Sequence, residues 1–153
     1  MKDRFDKIIE AVRARFCTLV ASPKYRIKSL PEDMPEAGIY LFSEGGRYLY
    51  VGRTNKLRKR LQYHTRANHN QATFAFLLAR RETGRLKASY KPEGSRSDLL
   101  SDPVFRAAFD TARLRITEMD VQFVEEPDPV KQTILEVFAA LETRAEFNDF
   151  DNH

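Results

Sequence analysis

The sequence predicts an α+β fold, a small three-stranded antiparallel sheet flanked by helices, with an N-terminal helix and a helical insertion. Three observations carry this. Two short runs rich in Ile, Tyr, Phe and Val are split by Gly45-Gly46. A third run, Met119 to Phe123, alternates apolar and polar residues. Between and around them apolar residues recur at helical spacing.

The elements follow in order. Phe5, Ile8, Ile9, Val12, Phe16 and Leu19 predict an amphipathic helix over 3–21, ended by Ser22-Pro23. Cys17 falls among these residues and reads as buried filler. Pro31, Pro35 and Gly38 mark an irregular lead-in to strands over 38–43 and 47–52. Thr54 or Asn55 can cap a helix through 66, docked by Leu57 and Leu61. Asn70 can cap the next helix, with Phe74, Leu77 and Leu78 inward and Gly84 near its end. Residues 85–101 read as a basic loop centred on Lys91 to Ser95. Ser101-Asp102-Pro103 starts another helix. The third strand then turns at Glu125 to Pro129 into a last helix over 130–146, with Ile134, Val137, Phe138 and Leu141 inward.

Length and composition bound the function. A chain of 153 residues, 42% apolar and 31% charged, suits one domain over 1–153. Within it, 1–30 is a helical extension and 67–118 an insertion. The longest apolar run, Ala72 to Ala79, is too short to span a bilayer, so no membrane partner is expected. The N-terminus mixes both charge signs, unlike a signal peptide. A single cysteine cannot form an internal disulfide, which fits a cytoplasmic protein. The net charge of +4 points toward a polyanionic partner. The charge is also segregated: Arg53 to Arg66 holds six Lys or Arg and no acid. That stretch is either a phosphate footprint or a solvated helix face.

The chemistry begins with Gly38-Ile39-Tyr40 and Tyr50-Val51-Gly52. A three-residue loop, Glu44 to Gly46, pairs Tyr40 with Tyr50 and puts both phenols on one face. A four-residue loop pairs Tyr40 with Leu49 and separates them. Two glycines favour the three-residue form. The alternative reading is two β-forming tyrosines lining a core. Downstream, Arg60 lies eight residues after Gly52, and His64 one helical turn further. Arg60 next to two phenols can hold a phosphate oxygen with its forked donors. Arg53, Arg58 and Lys59 are expected to supply further phosphate contacts. Glu136 shares a helix face with Ala140 and Thr143, small neighbours that leave room for a ligand. Asn148 follows twelve residues later, where a left-handed helix cap is the alternative.

Together these residues resemble the GIY-YIG nucleases. The likeness is tight over 38–66 and looser over 119–148. It implies a metal-dependent endonuclease acting on DNA, with one Mg²⁺ or Mn²⁺ ion on Glu136 and with Asn148, the terminal asparagine of the motif, among the substrate-binding residues. Tyr40 or Tyr50 would be the general base, Tyr50 being preferred because Arg53 is close in sequence. Arg60 would stabilise the charge on phosphorus, and His64 would donate to phosphate or relay a proton. Arg53 stands where many relatives carry lysine and cannot act as a base. Arg144 to Asn148 carries an acid, Glu146, where relatives often have basic residues. The insertion, with Arg80, Arg81, Arg85, Lys87, Lys91 and Arg96, reads as substrate-binding or as structural elaboration. The other functional class is a nucleic-acid-binding module that has lost catalysis on the same scaffold. The expected oligomeric state is a monomer or weak homodimer, the N-terminal helix covering the sheet or serving a dimer.

Overall fold

The chain reverses at Gly45-Gly46, whose φ angles are 58° and 80°. Two consecutive left-handed residues make the two-residue turn whose twist matches antiparallel strands, and only glycine takes both positions cheaply. The turn joins β1 (Gly38–Glu44) to β2 (Arg47–Thr54), with Glu44 opposite Arg47 and Ser43 opposite Tyr48. The register then shifts, so that Phe42 pairs with Tyr50 and Tyr40 with Gly52. Leu49 is the extra residue of a β-bulge. The three-residue loop with Tyr40 opposite Tyr50 is therefore corrected. A two-residue turn plus one bulged residue preserves parity, so the phenols still share a face, set diagonally.

The computed structural model describes residues 1–68, 72–85, 96–148 and 150. They fall into two units, Met1–Lys59 with Met119–His153, and Arg60–Glu118. In the first unit, β3 (Asp120–Glu125) pairs antiparallel with β1, giving the strand order β2-β1-β3. The fold is α+β, a three-stranded antiparallel sheet flanked by helices. The helices α1 (Arg4–Ala21) and α6 (Pro129–Thr143) cover one sheet face. There Val12 and Leu19 meet Ile39, Leu41, Val51, Val124, Leu135 and Ala139. Asp3 caps α1 by accepting from the Asp6 N–H, and Asp128 caps α6 by accepting from Lys131. Gln122, buried in β3, donates to the carbonyls of Val20 and Ser22 at the end of α1. The other face carries Tyr40, Phe42, Tyr50, Val121 and Phe123, by strand alternation. Tyr25 pairs through its backbone with Val121 and stacks on Phe123 at 5.7 Å.

Several side chains depart from the expected faces. Cys17 is exposed, because it lies one residue, about 100° of helix, beyond Phe16. Phe5 is exposed in the first turn. In α6, Val137 and Leu141 face outward, while Gln132, Leu135, Ala139 and Ala140 face inward. Ile134 and Phe138 pack against the core as expected; Val137 and Leu141 do not, because the rest of the inward stripe is made of Gln132, Leu135 and alanines.

In the second unit, α3 (Thr73–Thr83), α4 (Arg96–Ser101) and α5 (Pro103–Thr117) bury Phe74, Phe76, Leu99, Phe105 and Phe109. Gly84 ends α3 at φ 76°, and Asp102 caps α5 through the Val104 N–H. The helix α2 (Leu57–Tyr63) ends three residues earlier than expected. Residues 96–101 are helical, which corrects the loop expected over 85–101. Asn70 and the loop centre Lys91 to Ser95 lie outside the described residues.

Candidate active site

The two motif glycines are explained by what approaches them. A Cβ on Gly52 would lie 2.2 Å from Cζ and from the hydroxyl of Tyr40. The Tyr40 phenol therefore rests against the Gly52 backbone, with the residue only 1% exposed. Tyr50 is half-buried, and its ring centroid lies 6.4 Å from that of Tyr40. A Cβ on Gly38 would lie 1.9 Å from the Val124 carbonyl oxygen, where the neighbour is backbone. These contacts separate two outcomes. Gly38→Ala must push β1 and β3 apart, so its cost should exceed the ~1–3 kcal/mol typical of overpacking. Gly52→Ala displaces only a phenol, so it should melt nearer wild type yet lose activity. Thermal melts of both variants, with cleavage rates, check this order.

Glu136 and Asn148 meet the free edge of β2. The Val51 N–H donates to Asn148 Oδ1 at 2.8 Å, and Asn148 Nδ2 donates to the Val51 carbonyl at 2.8 Å. One carboxamide thus acts as a strand partner. The Phe147 N–H donates to the Leu49 carbonyl at 2.9 Å, and Glu146 pairs with Arg47. The acid that seemed misplaced in the motif ties the tail to β2. Residue 144, not Asn148, holds the left-handed helix cap, at φ 54°. Asn148→Ala should lose two hydrogen bonds, about 1–3 kcal/mol of stability, and speed exchange of the Val51 amide. A variant that melts like wild type would remove Asn148 from the strand edge.

Because Val51 points its polar groups outward, Arg53 two residues on does the same. Its backbone hydrogen-bonds the Glu136 carboxylate, and its Nε lies 3.8 Å from Glu136 Oε1. Burial raises the Glu136 pKa above the ordinary carboxylate value, and the Arg53 charge partly opposes that rise. The Arg53 side chain lies on the α6 face of the sheet, opposite the phenols. Its expected role beside Tyr50 is corrected, since strand alternation turns it to Glu136. The sequence reading missed Gln132, one turn before Glu136. Its Oε1 accepts from Arg53 Nη1 at 3.4 Å, and its Nε2 donates to the Glu126 carbonyl at 2.9 Å and to Asn55 Oδ1 at 3.3 Å. A polar residue on the inward α6 stripe was the available signal.

The basic stretch divides. Arg58 donates to the carbonyls of Pro31 and Glu32, pinning the lead-in loop, while Lys59 is exposed. Arg60 and His64 belong to the second unit. Arg60 is half-buried and donates to Thr73 Oγ1 at 3.4 Å. His64 is fully buried, edge-on to Phe74 at 6.5 Å. Its pKa falls to about 3, chiefly through burial and further through the Arg60 charge. The imidazole is therefore neutral at neutral pH and is not a helix-surface group.

The donor chemistry fits a hard divalent cation at Glu136. Mg²⁺ keeps several waters and is commonly held by one or two carboxylates plus substrate phosphate. Glu136 is a carboxylate whose side chain is 27% exposed, at a strand edge, and burial there disfavours its charge. A cation offsets that cost. Among the described residues no group of three or more His, Cys, Asp or Glu could form a closed cage.

No curated protein matches the chain. Among solved structures it is similar to the GIY-YIG N-terminal endonuclease domain of UvrC from Thermotoga maritima, a point mutant bound to its catalytic divalent cation. That likeness has 17% identity and a TM-score of 0.38, and covers 97% of this chain and 99% of the other. The family model of the GIY-YIG catalytic domain matches residues 36–93, a span that holds both tyrosine tripeptides, Arg53 and Arg60.

Proposed function

We propose that this protein is a divalent-metal-dependent endonuclease that hydrolyses DNA phosphodiester bonds. The observation that carries the reading is the pair of phenols on one face of β1-β2 in a sheet whose outer strand, β2, also holds Glu136 through Arg53. The catalytic-domain match over 36–93 supports it.

Glu136 would hold Mg²⁺ or Mn²⁺, which supplies Lewis-acid charge to the scissile phosphate when bound. Tyr50, as its phenolate, would accept the proton of the attacking water as oxygen bonds to phosphorus, and the leaving oxygen would depart with its electron pair and take a proton from solvent water. Tyr50 is preferred over Tyr40 because it is half-buried and open to water, whereas Tyr40 is packed on Gly52. Tyr40 would orient it. Arg60, assigned by its place eight residues after Gly52, would bind the charge developing on the phosphate oxygens. Gln132 and Glu136 would fix Arg53, and Asn148 would hold β2 in register. Lys59 would contact the DNA backbone, whereas Arg58 supports the lead-in loop. The buried, neutral His64 is assigned to packing around Phe74. The test is cleavage of end-labelled duplex DNA in Mg²⁺, in Mn²⁺ and in chelator.

A further inference from the structure

In the first unit, the outer face of α6 carries an exposed apolar stripe. Val130, Val137 and Leu141 are 54%, 37% and 65% exposed, and Ile134, half-buried, falls between them along the helix. The four follow one another at intervals of four, three and four residues. At ~100° per residue they span about 60° of arc, on the side away from the buried Gln132, Leu135 and Ala139. A seam with this spacing is what one helix offers to another.

Two charges flank the seam on one side. Lys131 lies in the first turn of α6 and Glu142 in the last, within about 20° of each other around the helix. Among the described residues neither forms an ion pair. Each also stands at the unfavourable end of the helix dipole, which prefers acids in the first turn and bases in the last. The first turn of α6 holds no acid and the last holds no base.

We propose that the outer face of α6 is an interface for a second copy of this chain, the two helices lying antiparallel about a two-fold axis. Under that symmetry Ile134 meets Val137 of the second copy, Val130 meets Leu141 of the second copy, and every contact is made twice. Like flanks meet in an antiparallel pair, so Lys131 reaches Glu142 of the second copy. A parallel pair leaves these charges three turns apart. Antiparallel alignment also sets the positive end of each helix beside the negative end of the other. One helix pair is smaller than a standard interface, so the expected Kd is on the order of 10–100 µM. The interface does not depend on the nuclease reading. Its use does: Glu136 lies midway along the same helix, so the dimer would bring two cutting sites to one duplex.

The test is sedimentation equilibrium of the full chain at concentrations that bracket this range, beside melts at low concentration. Wild type should pass from monomer to dimer. Leu141→Glu removes an apolar contact twice per dimer and should raise Kd about 100-fold, with the melting temperature of the dilute protein unchanged. Lys131→Glu and Glu142→Lys should each weaken the dimer, because each sets like charges opposite one another, and the double reversal should restore it. Both reversals suit the helix dipole, so a dimer lost through them is not lost through unfolding. A chain that stays monomeric at the highest concentration overturns the proposal, and leaves the seam to a different partner or to none. A dimer that survives Leu141→Glu overturns it too, as does one that the double reversal leaves as weak as either single variant. A monomer that cleaves DNA sinks this interface alone. A dimer that never cleaves sinks the nuclease reading alone.

Discussion

Glu136→Gln should abolish cleavage while leaving DNA binding and folding in place. The substitution keeps shape and hydrogen-bonding capacity but removes the anionic oxygen held beside Arg53 at the β2 edge. A bound metal supplies several kcal/mol of transition-state charge stabilisation. Each ~1.4 kcal/mol is tenfold in rate, so the loss should be at least about 100-fold. Stability supplies an independent check. Burial raises the Glu136 pKa, so the folded state holds this proton more tightly than the unfolded chain. Stability from this group is then greatest at low pH, and falls as pH rises from the ordinary carboxylate value through the raised folded value. Glutamine cannot ionise, so that fall should vanish, and the variant should melt no lower than wild type at neutral pH. Chemical melts across pH, beside cleavage rates in Mg²⁺, measure both. Near-wild-type rates would remove Glu136 from the metal site.

Tyr50→Phe should fold normally and lose roughly 10²–10⁴ in rate, the usual weight of a positioned proton acceptor. Tyr40→Phe should lose less, because Tyr40 is buried against Gly52 and only orients its neighbour. Were the phenols mere core residues, each variant would cost about one hydrogen bond, ~1 kcal/mol, with little change in rate. Single-turnover rates at equal melting temperature decide. A larger loss for Tyr40→Phe would exchange the two roles, and small equal losses would remove both from the chemistry.

The sequence made the hairpin, the third strand and the flanking helices legible because period-two and helical patterns are local. The shared face of Tyr40 and Tyr50 was also legible, although for the wrong register. Two changes, a shorter turn and a bulge at Leu49, cancelled in parity. What escaped was set by contacts distant in sequence. The strand-edge role of Asn148 depends on a tail returning 97 residues later to Val51. Arg53 looked like a partner of Tyr50 by proximity along the chain, yet alternation sends it to the α6 face. Gln132 was passed over because the groups it hydrogen-bonds, on Arg53, Thr54, Asn55 and Glu126, come together only in the fold. The inward stripe of α6 was half legible: Ile134 and Phe138 pack on the core, but Gln132 and the alanines take the places expected of Val137 and Leu141.

The measurement that bears most directly on the account is nicking of supercoiled plasmid by the full chain. The account predicts conversion to open circles in Mg²⁺ or Mn²⁺, none in chelator, and none by Glu136→Gln under any of these conditions. A wild-type protein that binds the plasmid but leaves it supercoiled with either metal would contradict it, and would make the chain a nucleic-acid-binding module on a nuclease scaffold.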